Sequence, residues 1–164
     1  MLRRFIASLL TLLTALTVTV ATSGPASAAP GGWGALMHYE TNNWNLKLGG
    51  SNGIGPATLQ MYGGGFQFIN KGNGFEIVQA NAVWSCLDGN HTQAYGHACN
   101  GGTWQRWDVT FKKKTFHHAV GKDVLWYQLR NRQTGGCLDS NGHSVYIHAC
   151  NPGTYQWWGF YPTG

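Results

Sequence analysis

Charge is scarce in this chain. Only 10% of its 164 residues are Asp, Glu, Lys or Arg, and the acids are six: Glu40, Glu76, Asp88, Asp108, Asp123 and Asp139. A glycoside-cleaving centre needs two carboxylates facing one bond, so there is little material for one. Ser85, Ser140 and Ser144 stand outside any G-x-S-x-G setting, which removes that nucleophile signature. No C-x-x-C pair occurs, so although His97 and His148 each lie two residues before a cysteine, a zinc site is not expected. The reading is of a protein that is not an enzyme and carries no metal or cofactor. Helix-forming runs are missing as well: 24 glycines and few Ala, Glu or Leu runs after the N-terminus point to an all-β fold.

What is present begins with an N-terminal leader. Met1-Leu2-Arg3-Arg4 is a short basic segment, Phe5 to Val20 is apolar with interspersed Thr, and Ala26-Ser27-Ala28 has a small-x-small cleavage pattern. Residues 1–28 therefore read as a signal peptide. Gly24-Pro25 ends the run short of the roughly 20 apolar residues of a membrane span, and no second such run follows. The expectation is a secreted protein with no membrane span. Without Arg3 and Arg4 the remaining chain has nine basic residues against six acids. Much of that surplus is the run Lys112-Lys113-Lys114, read as a solvated hairpin tip rather than a phosphate reader, so nucleic acid is not an expected partner.

The four cysteines, in an exported chain, imply two disulfides. Cys86 to Cys99 and Cys137 to Cys150 share a spacing of 13, so each pair most simply closes its own loop. That spacing belongs to a longer repeat. At an offset of 51, thirteen of twenty-two positions are identical between "CLDGNHTQAYGHACNGGTWQRW" and "CLDSNGHSVYIHACNPGTYQWW". Strand-like segments precede both copies, Gly74-Phe75-Glu76-Ile77-Val78 and Leu125-Trp126-Tyr127-Gln128-Leu129, rich in β-formers. A degenerate first copy has Leu36-Met37-His38-Tyr39 as lead-in and Trp44-Asn45-Leu46-Lys47 in place of Ser-Cys-Leu-Asp. Leu59-Gln60-Met61-Tyr62 is read as matching Val145-Tyr146-Ile147-His148, and Gln67-Phe68-Ile69 as its Q-x-W. Three such units could bury together an apolar face that one could not bury alone.

C-L-D, a strand, a second Cys and Q-x-W, repeated about three times, resemble the ricin B-type (R-type) lectin family, also known as family 13 carbohydrate-binding modules. The resemblance implies a β-trefoil of three repeats with pseudo-threefold symmetry, spanning residues 30–164 in repeats of about 33–69, 70–110 and 122–164, the first degenerate. It also implies site residues. In that family the Asp of C-L-D accepts hydrogen bonds from adjacent sugar hydroxyls, an aromatic two residues before the second Cys stacks on the sugar, and a polar residue before the Gln completes the pocket. Asp88 and Asp139 match. His97 and His148 occupy the stacking position, and Trp104 and Tyr155 the polar one. These shared departures suggest altered specificity, with Tyr95 and Tyr146, or Trp104 and Tyr155, providing the stacking surface. Gln105, Trp107, Gln156 and Trp158 are expected to be structural, and the first copy, with Lys47 in place of Asp, to bind nothing in the family manner.

Alternation within the strands puts Ala94, Gly96 and Ala98 on one face against Tyr95 and His97, and Val145, Ile147 and Ala149 against Tyr146 and His148. The apolar side is expected to face the core. Asn90-His91-Thr92 forms a glycosylation sequon that fits an exposed loop. The functional expectation is a lectin-like protein holding polysaccharide or glycan at up to two weak sites. Its alternative is a protein-interaction trefoil, an inhibitor or toxin-associated subunit, that has lost sugar binding.

Overall fold

The computed structural model describes residues 29–41, 43–50, 52–80 and 84–163. The leader read over residues 1–28 lies outside them. The all-β expectation holds: twelve strands and three short 3-10 turns make up the described elements, with no α-helix among them. The strands follow one another in sets of four. The first set is β1 (Gly34–His38), β2 (Asn45–Leu48), β3 (Gly55–Gln60) and β4 (Gly65–Asn70). The second is β5 (Phe75–Gln79), β6 (Ser85–Gly89), β7 (Ala94–Ala98) and β8 (Trp107–His117). The third is β9 (Lys122–Asn131), β10 (Cys137–Ser140), β11 (Val145–His148) and β12 (Trp158–Pro162).

The outer strands of each set pair into a closed antiparallel ring. β1 pairs with β4, β4 with β5, β5 with β8, β8 with β9, β9 with β12, and β12 returns to β1. Closure leaves the ring without an open edge. The inner strands form three hairpins, β2–β3, β6–β7 and β10–β11.

Strand register gives the equivalences between sets. Asn45, Cys86 and Cys137 each pair back onto the first strand of their own set, opposite Met37, Val78 and Arg130. One residue on, Leu46, Leu87 and Leu138 are all completely buried. Trp107 and Trp158 are also fully buried, opposite Asn131 and His38 of the next set, and their indole N–H groups donate to Leu87 O and Leu138 O at the same 2.9 Å. Leu46, Leu87, Leu138, Trp107 and Trp158 belong to one core cluster. Full burial of each such side chain contributes about 1.5–3 kcal/mol.

In the first set, Phe66 pairs with Gln79 as the tryptophans pair with Asn131 and His38. Phe66 is therefore the counterpart of the Q-x-W tryptophan, and the assignment of that motif to Gln67-Phe68-Ile69 is corrected. The Gln position then falls on Gly64, where a Cβ would lie 2.4 Å from Gln79 Oε1. Gln79 reaches in from β5 and fills that space with different bonds: its Oε1 accepts from Leu48 N at 2.7 Å and its Nε2 donates to Leu48 O, while Met61 O, the counterpart of Ala98 O, accepts from Asn45 Nδ2 at 3.1 Å. A second correction concerns β3. Asn45 pairs with Gln60 as Cys86 pairs with His97, so Ala57-Thr58-Leu59-Gln60 matches Val145 to His148, two residues before the predicted segment. A slip of two keeps every side chain on its own face, so alternation alone does not detect it.

The disulfides are Cys86–Cys99 and Cys137–Cys150, as the spacing predicts. Ala94, Gly96, Val145 and Ile147 face inward as expected, but Ala98 and Ala149 are exposed. The chain turns away there because Gln105 and Gln156 draw the Ala98 and Ala149 carbonyls into hydrogen bonds of 3.0 and 2.9 Å. The lysine run is corrected too. Lys112 to Lys114 lies within β8 beside a bulge, short of the hairpin tip. Lys113 Nζ sits 4.5 Å from the Tyr39 ring centroid and 5.0 Å from that of Trp157, a cation–π arrangement.

Candidate functional site

Two depressions of about 300 and 290 Å³ lie beside the second and third hairpins. The first is lined by Asp88, Asn90, Tyr95, His97, Asn100 and Trp104. The second is lined by Asp139, Asn141, Tyr146, His148, Asn151 and Tyr155. These are the same six positions displaced by 51. All eight predicted binding residues are brought together, four in each depression. Asn90, Asn100, Asn141 and Asn151 were missed, although each is an identity of the repeat; they read as turn residues because Asn is common in turns.

Each depression is built around one glutamine. Gln105, fully buried, accepts from Asn100 N at 2.9 Å and donates through Nε2 to Asp88 Oδ2 at 3.1 Å as well as to Ala98 O. Gln156 repeats this with Asn151 N at 2.9 Å and Asp139 Oδ2 at 2.8 Å. The Q-x-W glutamine thus fixes the carboxylate and the asparagine loop in one frame. Asp88 and Asp139 are 4% and 5% exposed, so they form the floor of each depression. Asp88 Oδ1 is buried, with the Tyr95 hydroxyl as its neighbour across the hairpin.

The half-buried tyrosines stand opposite the carboxylates in register, Tyr95 across from Asp88 and Tyr146 across from Asp139. Burial raises the pKa of both phenols, and the adjacent Asp raises it further. They remain neutral, hydrogen-bonding phenols at physiological pH. The histidines sit at the exposed edge, but differently: His97 Nδ1 donates to Ala98 O at 3.0 Å, whereas His148 Nδ1 is 3.9 Å from Asp139 Oδ2. Trp104 and Tyr155, on 3-10 turns, are 38% and 52% exposed and provide the accessible rings. Each is held through its own carbonyl by the next set of strands: Asn131 Nδ2 donates to Trp104 O at 2.7 Å, and His38 Nε2 to Tyr155 O at 3.0 Å.

In the first set the same register positions are Lys47, Thr58 and Gln60, which supply neither a carboxylate nor a ring. No group of three or more His, Cys, Asp or Glu side chains is placed to hold a metal ion among the described residues, and no helix among them is long and apolar enough to cross a membrane.

No protein-family model matches the chain, and no curated protein does. Solved structures do. The hemolytic lectin CEL-III superposes with a TM-score of 0.65 at 21% identity, over 80% of this chain and 33% of that one. This chain therefore spans about a third of the hemolytic lectin's length. A designed three-fold symmetric protein, ThreeFoil, gives 0.59 at 16% identity over 78% and 96% of the two chains. SeviL, solved bound to the asialo-GM1 saccharide, gives 0.57 at 12% identity over 82% and 100%. At these identities the likeness establishes a shared fold.

Proposed function

We propose that this chain is a secreted, non-catalytic carbohydrate-binding protein, a β-trefoil of the ricin B type that holds polysaccharide or glycan at two weak sites. The observation that carries the reading is the duplicated depression, with a buried carboxylate as floor, a tyrosine and a histidine on one strand, and an exposed ring on the facing turn. A carboxylate accepts hydrogen bonds from sugar hydroxyls, and a ring covers the C–H face of a pyranose; together they orient a ligand. Support for the fold comes from the ring of outer strands with its three hairpins and from the three-fold symmetric neighbour. Secretion is supported by the leader pattern and by two disulfides. The saccharide-bound neighbour supports glycan as the ligand class.

The test is retention on insoluble xylan, cellulose, chitin and a galactose-based resin. The expected result is retention on at least one matrix, reduced about tenfold or more by Trp104→Ala/Tyr155→Ala, since loss of about 1.4 kcal/mol is a factor of ten. Asp88→Asn/Asp139→Asn is expected to act in the same direction. Binding to no matrix, or retention unchanged in both double variants with an unaltered circular dichroism spectrum, sinks the reading.

A protein-interaction role is the second reading, favoured by one observation. Trp44, Met61 and Tyr62 of the first set are 43%, 61% and 86% exposed, and tryptophan and tyrosine are frequent interface anchors. A glycan array without hits, together with a stable partner recovered from secreted fractions, is its expected signature.

A further inference from the structure

Between the three hairpins lies a larger concavity that neither sugar site uses fully. β3, β7 and β11, the equivalent strands of the three sets, surround an open bowl of about 590 Å³. Its lining includes Ala57, Ala94 and Val145, which occupy one register position in the three hairpins. All three are small, so the centre is not plugged. The next position is Thr58 in the first set but Tyr95 and Tyr146 in the others, leaving the wall lowest on the Thr58 side. Exposed Pro56 and Ile54, the latter 37% exposed, add apolar surface to the lining.

The bowl is preformed by main-chain pairing. Gly55 pairs with Gly96 and Pro56 with Tyr95, while bridges join Thr58 to Ser144 and Gln93 to Tyr146. Ile147 N donates to Thr92 O at 3.3 Å. At Gly96 a Cβ would lie 1.9 Å from Gly53 O, so the close approach of the first hairpin's turn requires glycine. A rigid, largely apolar concavity of this volume falls within the range of small-molecule sites.

Continuity with the carbohydrate site indicates what fills it. Asn90, Tyr95 and His97 line both the bowl and the Asp88 depression, whereas Tyr146 alone is shared with the Asp139 depression. We propose that the bowl binds the apolar aglycone, an alkyl chain or aryl ring, of a glycoside whose sugar sits in the Asp88 depression. This rests on the carbohydrate-binding reading and extends it: the preferred ligand is an amphiphilic glycoside, and the two sugar sites are unequal because only the first opens broadly onto the bowl.

Amide chemical shifts of the full chain test this, using methyl and n-hexyl glycosides of galactose, glucose, xylose and N-acetylglucosamine, with 1-hexanol as a sugar-free probe. Hexanol and a hexyl glycoside are expected to shift Ala57, Ala94 and Val145. The hexyl glycoside is expected to saturate at a concentration about tenfold or more below its methyl counterpart, and to do so at the Asp88 depression. Thr58→Tyr places in the first set the residue that the other two already carry; it is expected to remove the bowl shifts and the hexyl advantage while leaving methyl glycoside binding intact. Ile54→Ser, at an exposed position, is expected to weaken the hexyl compound severalfold and serves if the first variant does not fold. Methyl glycoside shifts at Asp88 without bowl shifts from any hexyl compound overturn this inference alone. Bowl shifts with hexanol, when no methyl glycoside reaches either Asp, overturn the sugar reading and the aglycone assignment with it.

Discussion

His38 and Asn131 perform one task with different chemistry. They occupy equivalent places on β1 and β9, and each donates to the carbonyl of the ring residue that closes one of the two depressions, Tyr155 or Trp104. The amide of Asn131 does not titrate, but the imidazole of His38 does. Burial against the Trp158 ring lowers its pKa, and the bond to Tyr155 O and the charges of Glu40 and Asp139 only partly offset that. As pH falls below the ordinary value near 6.5, the unfolded chain takes up this proton before the folded one does. The stability contributed by neutral His38 is thus fully present above that value and is lost as pH falls toward the folded pKa. We expect Tm to drop by on the order of a few degrees between pH 7 and pH 5, and His38→Asn to flatten that slope in calorimetry. Glu76 does not confuse the window. Burial pushes its carboxyl up, but Arg106 and Lys71 together hold it below the usual carboxylate range, so its contribution is lost only at more acid pH.

The hairpins differ in what secures them, and that decided how well they could be read. The second and third each combine a disulfide, a buried Asp–Gln bond and a tryptophan donating to the C-L-D leucine, so covalent chemistry and packing repeat together and the sequence shows both. The first has none of these. Its existence was legible as a degenerate copy, with Trp44-Asn45-Leu46-Lys47 and Leu59-Gln60-Met61-Tyr62 as its strand segments, but its register was not, because a two-residue slip preserves alternation. Gln79 was illegible for another reason: it acts in a set to which it does not belong in sequence. Replacing Cys137 and Cys150 with Ala removes a loop constraint worth about 3 kcal/mol, and a Tm about 10 °C lower is expected for a domain of this size. A calorimetric shift below a degree or two would show that packing around Gln156 and Trp158 suffices alone.

At the scale of the molecule, the proposed carbohydrate binding by two depressions on one rigid body makes surface binding different from solution binding. Losing one ring, by Tyr155→Ala, is expected to halve the stoichiometry for a soluble monosaccharide in titration calorimetry. Retention on a dense glycan surface should fall further, severalfold but less than in the variant lacking both rings, because the second contact is intramolecular. A merely twofold loss on the surface would mean the two sites never engage one matrix together. The bowl belongs to this scale too, and no reading of one repeat could reveal it, since its lining comes from residues within 54–58, 90–97 and 143–146. The ring of outer strands also has a history written into its closure. β1 is buried along its whole length, yet it runs against β12, the last of the described strands. A chain that emerges from its N-terminus must keep Leu36 and Met37 waiting, with one side of their strand unpaired, until Gly159 and Phe160 arrive. Contacts of such wide sequence separation form slowly and leave apolar strands exposed meanwhile. The barrel can be completed only after the last strand has been made.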